Sequence, residues 1–274
     1  GHYAYWCRSA ARGLFPTPPS RVSDGVGLRP VINFADFSLK QVVNVQASDG
    51  TVPEGIRVTW TAVPGTEKYR IFKSLTSNID DATVVGESTT AEYLSVQPTT
   101  DKYWFWVQAK VDGVWGTVSE SDTGYRVRYQ LTVTEGTGTT NCFANTWVPI
   151  TANAAPTGYS FKEWTGAAAD VALLANKTAA STTLRMPGRA VTLTATYQAN
   201  AYTVKFNANG GTGMMANESF VYDTANALTA NAFTRTGYTF KGWAMTASGA
   251  VAHADKASVK NLTAPANGTV NLYA

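Results

Sequence analysis

The sequence predicts a mainly β, multidomain chain, and three observations carry that expectation. First, several segments alternate apolar and polar residues at period two, among them Tyr103-Trp-Phe-Trp-Val-Gln-Ala109 and Val191-Thr-Leu-Thr-Ala-Thr-Tyr197. Alternation of this kind puts one set of side chains inward and the other outward. Second, aromatics make up 12% of the chain, with eight Trp, alongside abundant Thr and Val. These residues favour pleated, half-buried surfaces. Third, the block at residues 157–164, Thr-Gly-Tyr-Ser-Phe-Lys-Glu-Trp, returns at 236–243 as Thr-Gly-Tyr-Thr-Phe-Lys-Gly-Trp. At 274 residues, and with roughly 100–200 residues to a domain, the chain has room for two or three modules.

Residues 1–33 are too few to bury a core of their own. Two blocks stand out, Cys7-Arg-Ser-Ala-Ala-Arg-Gly13 and Asp24-Gly-Val-Gly-Leu-Arg-Pro-Val31. They resemble the C-terminal end of the formylglycine-generating-enzyme-like (sulfatase-modifying factor) fold, a C-type-lectin-like architecture. The resemblance implies two cysteines here in catalytic members. Those positions fall on Ala4 and Ser9, and Cys7 matches neither, so the oxidase chemistry is not expected. Tyr3, Tyr5 and Trp6 read as packing residues of that domain. With the rest of the domain missing, the segment is expected to be poorly ordered, and the chain reads as an internal piece of a longer protein.

Residues 34–128 read as a β-sandwich. Ile56-Arg-Val-Thr-Trp60 alternates, Pro64-Gly65 marks a turn, and Tyr69-Arg-Ile-Phe72 follows. Tyr103–Ala109 is the next strand, and Asp112-Gly113 is a hairpin signal before residues 114–119. The string Val58-Thr-Trp60, Val63-Pro-Gly65, Tyr69, Ile71-Phe72, then Tyr103, Phe105, Val107 and Ala109, resembles a fibronectin type III domain. That resemblance implies core roles for Trp60 and Tyr69 and a tyrosine-corner role for Tyr103. If Tyr103, Phe105, Val107 and Ala109 face the core, Trp104 and Trp106 face out. On the paired strand Arg70 and Phe72 face out as well. Arg70, Phe72, Trp104 and Trp106 are therefore expected to form an exposed aromatic patch. Two readings of it stay open. Either an adjacent module or loop covers it, or it is a stacking platform for sugar rings or a protein hot spot.

Residues 129–198 and 199–274 are expected to be two copies of one unit. Each opens with an alternating strand, Tyr129–Val133 or Tyr202–Phe206, and closes with another, Val191–Tyr197 or Val270–Tyr273. Asp170–Lys177 reads as a short helix or turn, and Asn207–Gly213 as a hairpin-type loop. Tyr159 with Phe161, and Tyr238 with Phe240, should share a face with Trp164 and Trp243 and build each small core. The second copy resembles the internalin-type B repeat, also called the Listeria–Bacteroides repeat, and the first resembles its divergent form, without the Asn-Gly-Gly turn. The resemblance implies β-grasp-like modules on bacterial surface or secreted proteins, in a spacer or adhesive role, with no catalytic residues.

No catalytic motif for nucleophilic, phosphate or zinc chemistry appears in the sequence. Neither a cofactor nor a metal site is expected. Cys7, Cys142, His2 and His253 lie far apart, which does not suit clustered metal ligands, and a Cys7–Cys142 disulfide is not expected. Asp80-Asp81 reads as a solvated loop and His253 as a surface loop residue. The net charge of +3 is spread thinly, without the basic stripe a nucleic-acid site needs. No apolar run approaches the ~20 residues of a membrane span. The reading is a non-enzymatic, extracellular or cell-surface bacterial protein, acting in adhesion or as a spacer presenting a binding domain. Its partners would be a host or cell-surface protein or a glycan. The alternative is an accessory region of a secreted carbohydrate-active enzyme with a sugar-binding aromatic patch.

Overall fold

The computed structural model describes residues 41–274. The lectin-like remnant expected over 1–33, with Cys7 and His2, lies outside the described residues.

The first unit holds β1 (Gln46–Ala47), β2 (Ile56–Thr59), β3 (Thr66–Ser74), β4 (Thr83–Ser88), β5 (Glu92–Ser95), β6 (Tyr103–Val111), β7 (Val114–Trp115) and β8 (Asp122–Gly124). They form two sheets, ordered β1-β2-β5 and β4-β3-β6-β7, with β8 also paired to β6. Alternation decides what lies between them. Ile56 and Val58 come from one sheet, and Tyr69, Ile71, Phe105 and Val107 from the other, all buried in one cluster. Trp60 meets Tyr69 edge-on at 5.0 Å, and the Val63 amide donates to Tyr69 Oη at 2.9 Å. The phenol is thus buried without losing its polar partner. The β6–β7 turn is Asp112-Gly113, at φ 51° and 75°. Both are left-handed, as a type I′ hairpin requires.

The second unit comprises β9 (Tyr129–Thr134), β10 (Gly136–Thr137), β11 (Thr140–Cys142), β12 (Trp147–Ala152), β13 (Tyr159–Gly166), helix α1 (Ala168–Val171), β14 (Ser181–Arg185) and β15 (Val191–Ala199). Its sheets are β11-β9-β15-β13 and β10-β12-β14. The opening and closing strands pair in parallel, from Val191 opposite Leu131 to Thr194 opposite Thr134. Leu131, Val133 and Leu193 pack against Val148, Ile150 and Leu184 around Trp164, whose Nε1 donates to Ala179 O at 3.0 Å. The helix is shorter than the 170–177 stretch suggests. The Ala175 amide donates to Thr183 O, and Arg185 N to Leu173 O, so this backbone pairs with β14 instead of extending the helix.

The third unit comprises β16 (Ala201–Asn207), β17 (Glu218–Val221), β18 (Asn226–Ala227), β19 (Trp243–Ala244), β20 (Val251–His253), β21 (Ser258–Val259) and β22 (Gly268–Tyr273). Its main sheet is β17-β16-β22-β19-β20, again with first and last strands parallel, from Tyr202 opposite Gly268 to Asn207 opposite Tyr273. Trp243 sits fully buried beside Phe206, Phe233 and Phe240. Two expectations fail here. Tyr238 is not a core residue: it is 68% exposed, because 238–242 forms no strand and so has no alternating face. His253 is not in a loop: it lies on β20, half-buried, opposite Trp243.

Because Phe105 is fully buried within the sandwich cluster, Phe105→Ala is expected to destabilise that unit by about 3–5 kcal/mol. Chemical denaturation followed by residue-resolved NMR should show the loss in residues 42–124 while the two later cores keep their transitions.

Candidate functional site

The outer face of the β4-β3-β6-β7 sheet is laid out by register. Lys68 stands opposite Lys110, Arg70 opposite Gln108, Phe72 opposite Trp106, and Ser74 opposite Trp104. On β4, Glu87 flanks Arg70 and Val84 flanks Phe72. The four residues singled out from the sequence therefore share one face, but not as a single exposed patch. Arg70, Phe72 and Trp104 are half-buried. Trp106 is only 5% exposed, which corrects the expectation of an outward wet ring. Phe72 stands across from it on β3. On the other side residues 116–119 run beside β6, fixed by Gly116 N to Ala109 O, Ser119 N to Val107 O and Val107 N to Ser119 Oγ. Alternation gives the direction of a side chain, not what lies over it.

A residue that sequence reasoning missed completes the face. Trp115 follows the hairpin turn, and the Arg70 guanidinium stacks over its ring at 4.0 Å, with Lys68 Nζ at 5.9 Å. Glu87 accepts from Lys68 at 2.6 Å and lies 3.8 Å from Arg70. The Lys68 hydrogen bond holds the Glu87 carboxyl below the usual range. A planar cation on an indole beside half-buried aromatics is a surface suited to stacking and to directional hydrogen bonds. The only sequence signal for Trp115 was its place one residue past the Asp-Gly-Val turn.

Among the described residues, no group of His, Cys, Asp and Glu is arranged to hold a metal ion. Cys142 is a free thiol whose pKa burial pushes up, which leaves less of the reactive thiolate. Asp80 and Asp81 lie in a capped turn, where Asn78 Oδ1 accepts from the Asp80 amide.

Two buried polar side chains lie between modules. At the first junction Arg126, 5% exposed, donates to Gln97 O at 2.6 Å and to Pro53 O at 3.1 Å. Its guanidinium lies 4.2 Å from the Phe143 ring of the second unit. At the second junction one residue, Asn200, separates β15 from β16. Its amide donates to Gly158 O at 2.8 Å, and its carbonyl accepts from Tyr222 N at 2.9 Å. Its side chain accepts from Ser160 Oγ at 2.6 Å and donates to Ala264 O at 2.8 Å. Two of these bonds reach back to the first repeat and two reach forward to the second. Tyr159 Oη donates to Asp223 at 3.0 Å, and its ring meets Tyr222 edge-on. Gly158, at φ 80°, lies so close that a Cβ there would stand 2.2 Å from Tyr222 Cδ1. Asp223 is held below the usual carboxylate range by Asn261, Lys260 and Tyr159.

Residues 202–274 match the Listeria-Bacteroides repeat domain, and residues 129–201 match the divergent InlB B-repeat domain. Solved structures similar to part of the chain include a fibronectin type III-like protein from Clostridium thermocellum. It is 23% identical over 31% of this chain and 90% of that one, with a TM-score of 0.29. A human fibronectin type III domain is 19% identical over 36% of this chain and 88% of that one, with a TM-score of 0.28. No curated protein sequence matches the chain. Nothing in these comparisons corresponds to the formylglycine-generating-enzyme-like segment.

Trp106→Ala is expected to cost about 3–5 kcal/mol of sandwich stability, as for other buried large rings. Trp104→Ala, at a half-buried position, should cost less. Equal losses in denaturant titrations would contradict the burial contrast. A second expectation follows from Asp223. Its folded pKa lies below the unfolded one, so its stabilising effect is complete above the unfolded value and lost as pH falls through the folded value. Acidification below the ordinary carboxylate range should open the Tyr159–Asp223 contact, seen as a Tyr159 ring shift by NMR. Asp223→Asn should abolish that titration.

Proposed function

We propose that this chain is a non-enzymatic portion of a bacterial surface or secreted protein, a spacer of defined geometry that presents or carries a binding surface. The observation that best supports this reading is the second junction. A one-residue linker with all four of its polar groups bonded, two to each neighbour, is the opposite of a loose tether. Arg126 plays a comparable role at the first junction. The repeat matches support a location at the cell surface or outside the cell, since modules of this type are typical of such proteins. No helix among the described residues is long and apolar enough to cross a membrane. Arg70, Phe72, Trp104 and Trp115 are the residues proposed to touch a host or cell-surface protein or glycan in an adhesive role.

Residual dipolar couplings on the full chain test the spacer reading. The native chain should fit one relative orientation of the two repeats. Asn200→Gly combined with Tyr159→Phe should give separate alignment tensors for each repeat while both cores stay folded. Independent alignment of the repeats in the native chain would defeat the proposal. Retention of the native chain on an insoluble glycan, lost on Trp104→Ala, would favour the accessory reading of a carbohydrate-active enzyme instead.

A further inference from the structure

The two repeats share a fold, and one pair of surface side chains sets them apart. The small sheet β10-β12-β14 of the first repeat turns Val148, Ile150 and Leu184 into the core. Alternation sends their neighbours to the other face. There Trp147 stands opposite Arg185, Pro149 opposite Thr183, and Thr151 opposite Ser181. Trp147 is 58% exposed, whereas the other described tryptophans are buried or half-buried. Arg185 is exposed too, and its side chain has neither a hydrogen bond nor an ion pair among the described residues.

The second repeat lacks both features. Ile150-Thr-Ala-Asn-Ala154 returns as Leu228-Thr-Ala-Asn-Ala232. Val148 pairs with Leu184 in the first repeat, and Asn226 with Val259 in the second. The repeated block and the register agree: Ala225 stands where Trp147 does, and Lys260 where Arg185 does. Lys260 Nζ lies 3.2 Å from Asp223, so its charge is engaged. The same fold thus forms without the ring and without a free cation. Trp147 and Arg185 belong to the surface of the first repeat, not to what holds it together.

The composition of the face selects a ligand. β10, β12 and β14 carry no Asp or Glu, so Arg185 gives the face an unopposed positive charge. A guanidinium with free donors matches a carboxylate through two parallel hydrogen bonds. Its indole neighbour is a broad apolar plane with a polar N–H. The remainder is one proline and a set of hydroxyls, with Thr151 Oγ1 and Ser181 Oγ 3.2 Å apart. Such a face lacks the apolar core of a protein interface, where aromatic anchors cluster in desolvated pockets. It suits a chain of acidic sugars, whose rings carry an apolar side, hydroxyls and a carboxylate.

We infer that the outer face of β10-β12-β14 binds an acidic polysaccharide, with Trp147 stacked on a sugar ring and Arg185 holding a uronate carboxylate. The site lies on a different module from the Arg70 face, and the inference does not rest on the spacer reading.

Binding of the full chain to immobilised polygalacturonate, read by biolayer interferometry at physiological salt, tests this. The native chain should bind, and a neutral galactan should hold it far more weakly. Trp147→Ala and Arg185→Gln should each weaken binding at least about tenfold. Arg185→Lys, which keeps the charge but loses the fork, should recover only part of the loss. Trp104→Ala, on the sandwich face, should bind as the native chain does. Thermal unfolding of the second unit should be unchanged by Trp147→Ala, since the third unit folds with Ala at that place. No binding to polygalacturonate overturns the inference. So does equal binding by the native chain and Trp147→Ala, which would mean diffuse attraction to a chain of net charge +3. Equal binding to galactan, or binding lost in Trp104→Ala and kept in Trp147→Ala, overturns it as well.

Discussion

Asn200 sets the relation between the two repeats, and much of the described chain can be read outward from it. A carboxamide buried without partners costs about 1–3 kcal/mol. At 7% exposure, Asn200 escapes that cost in one arrangement, with Ser160 and Gly158 on one side and Tyr222 and Ala264 on the other. Rotating either repeat breaks two of the four bonds and buries their partners unpaired. The residue therefore fixes orientation more than it adds stability. Gly158 makes this possible, since any side chain there would collide with the Tyr222 ring. A left-handed φ of 80° suits glycine as well.

The sandwich is joined by different chemistry. Arg126 directs its donors to the carbonyls of Gln97 and Pro53 and offers its flat face to Phe143. Burial pulls its pKa down, but an arginine remains charged at any physiological pH. The face of the neighbouring sheet uses the same pairing in the open, with Arg70 on Trp115. One guanidinium–aromatic contact is enclosed and positions a module. The other is accessible and leaves its remaining donors for whatever approaches.

How much of this could be read from the residues varies by element. The interior row of β6 was legible because alternation through Tyr103, Phe105, Val107 and Ala109 is unbroken, and all four are buried. Trp164 and Trp243 were legible because each closes a repeated aromatic block in a unit too small to leave large rings outside. The burial of Trp106 was not, since alternation gives only the direction of the ring. Nor was Trp115, whose partner Arg70 lies far back in the chain. Nor was Asn200, since a lone Asn between two strands carries no periodic signal. Tyr159 and Tyr238 were both misplaced in the cores: Tyr159 turns to Tyr222 and Asp223 of the next repeat, and Tyr238 is exposed, which the repeated block does not show.

The parallel pairing of first and last strands has a mechanical side. Tension along the chain would enter the third unit at the start of β16 and leave it at the end of β22. These strands lie side by side and point the same way, from Tyr202 opposite Gly268 to Asn207 opposite Tyr273. Such a pull slides one strand along the other, so the ladder bonds are loaded together in shear and cannot open in succession like a zipper. The second unit repeats the geometry with β9 and β15. Connected through Asn200, the two ladders lie in series, and each carries the full load.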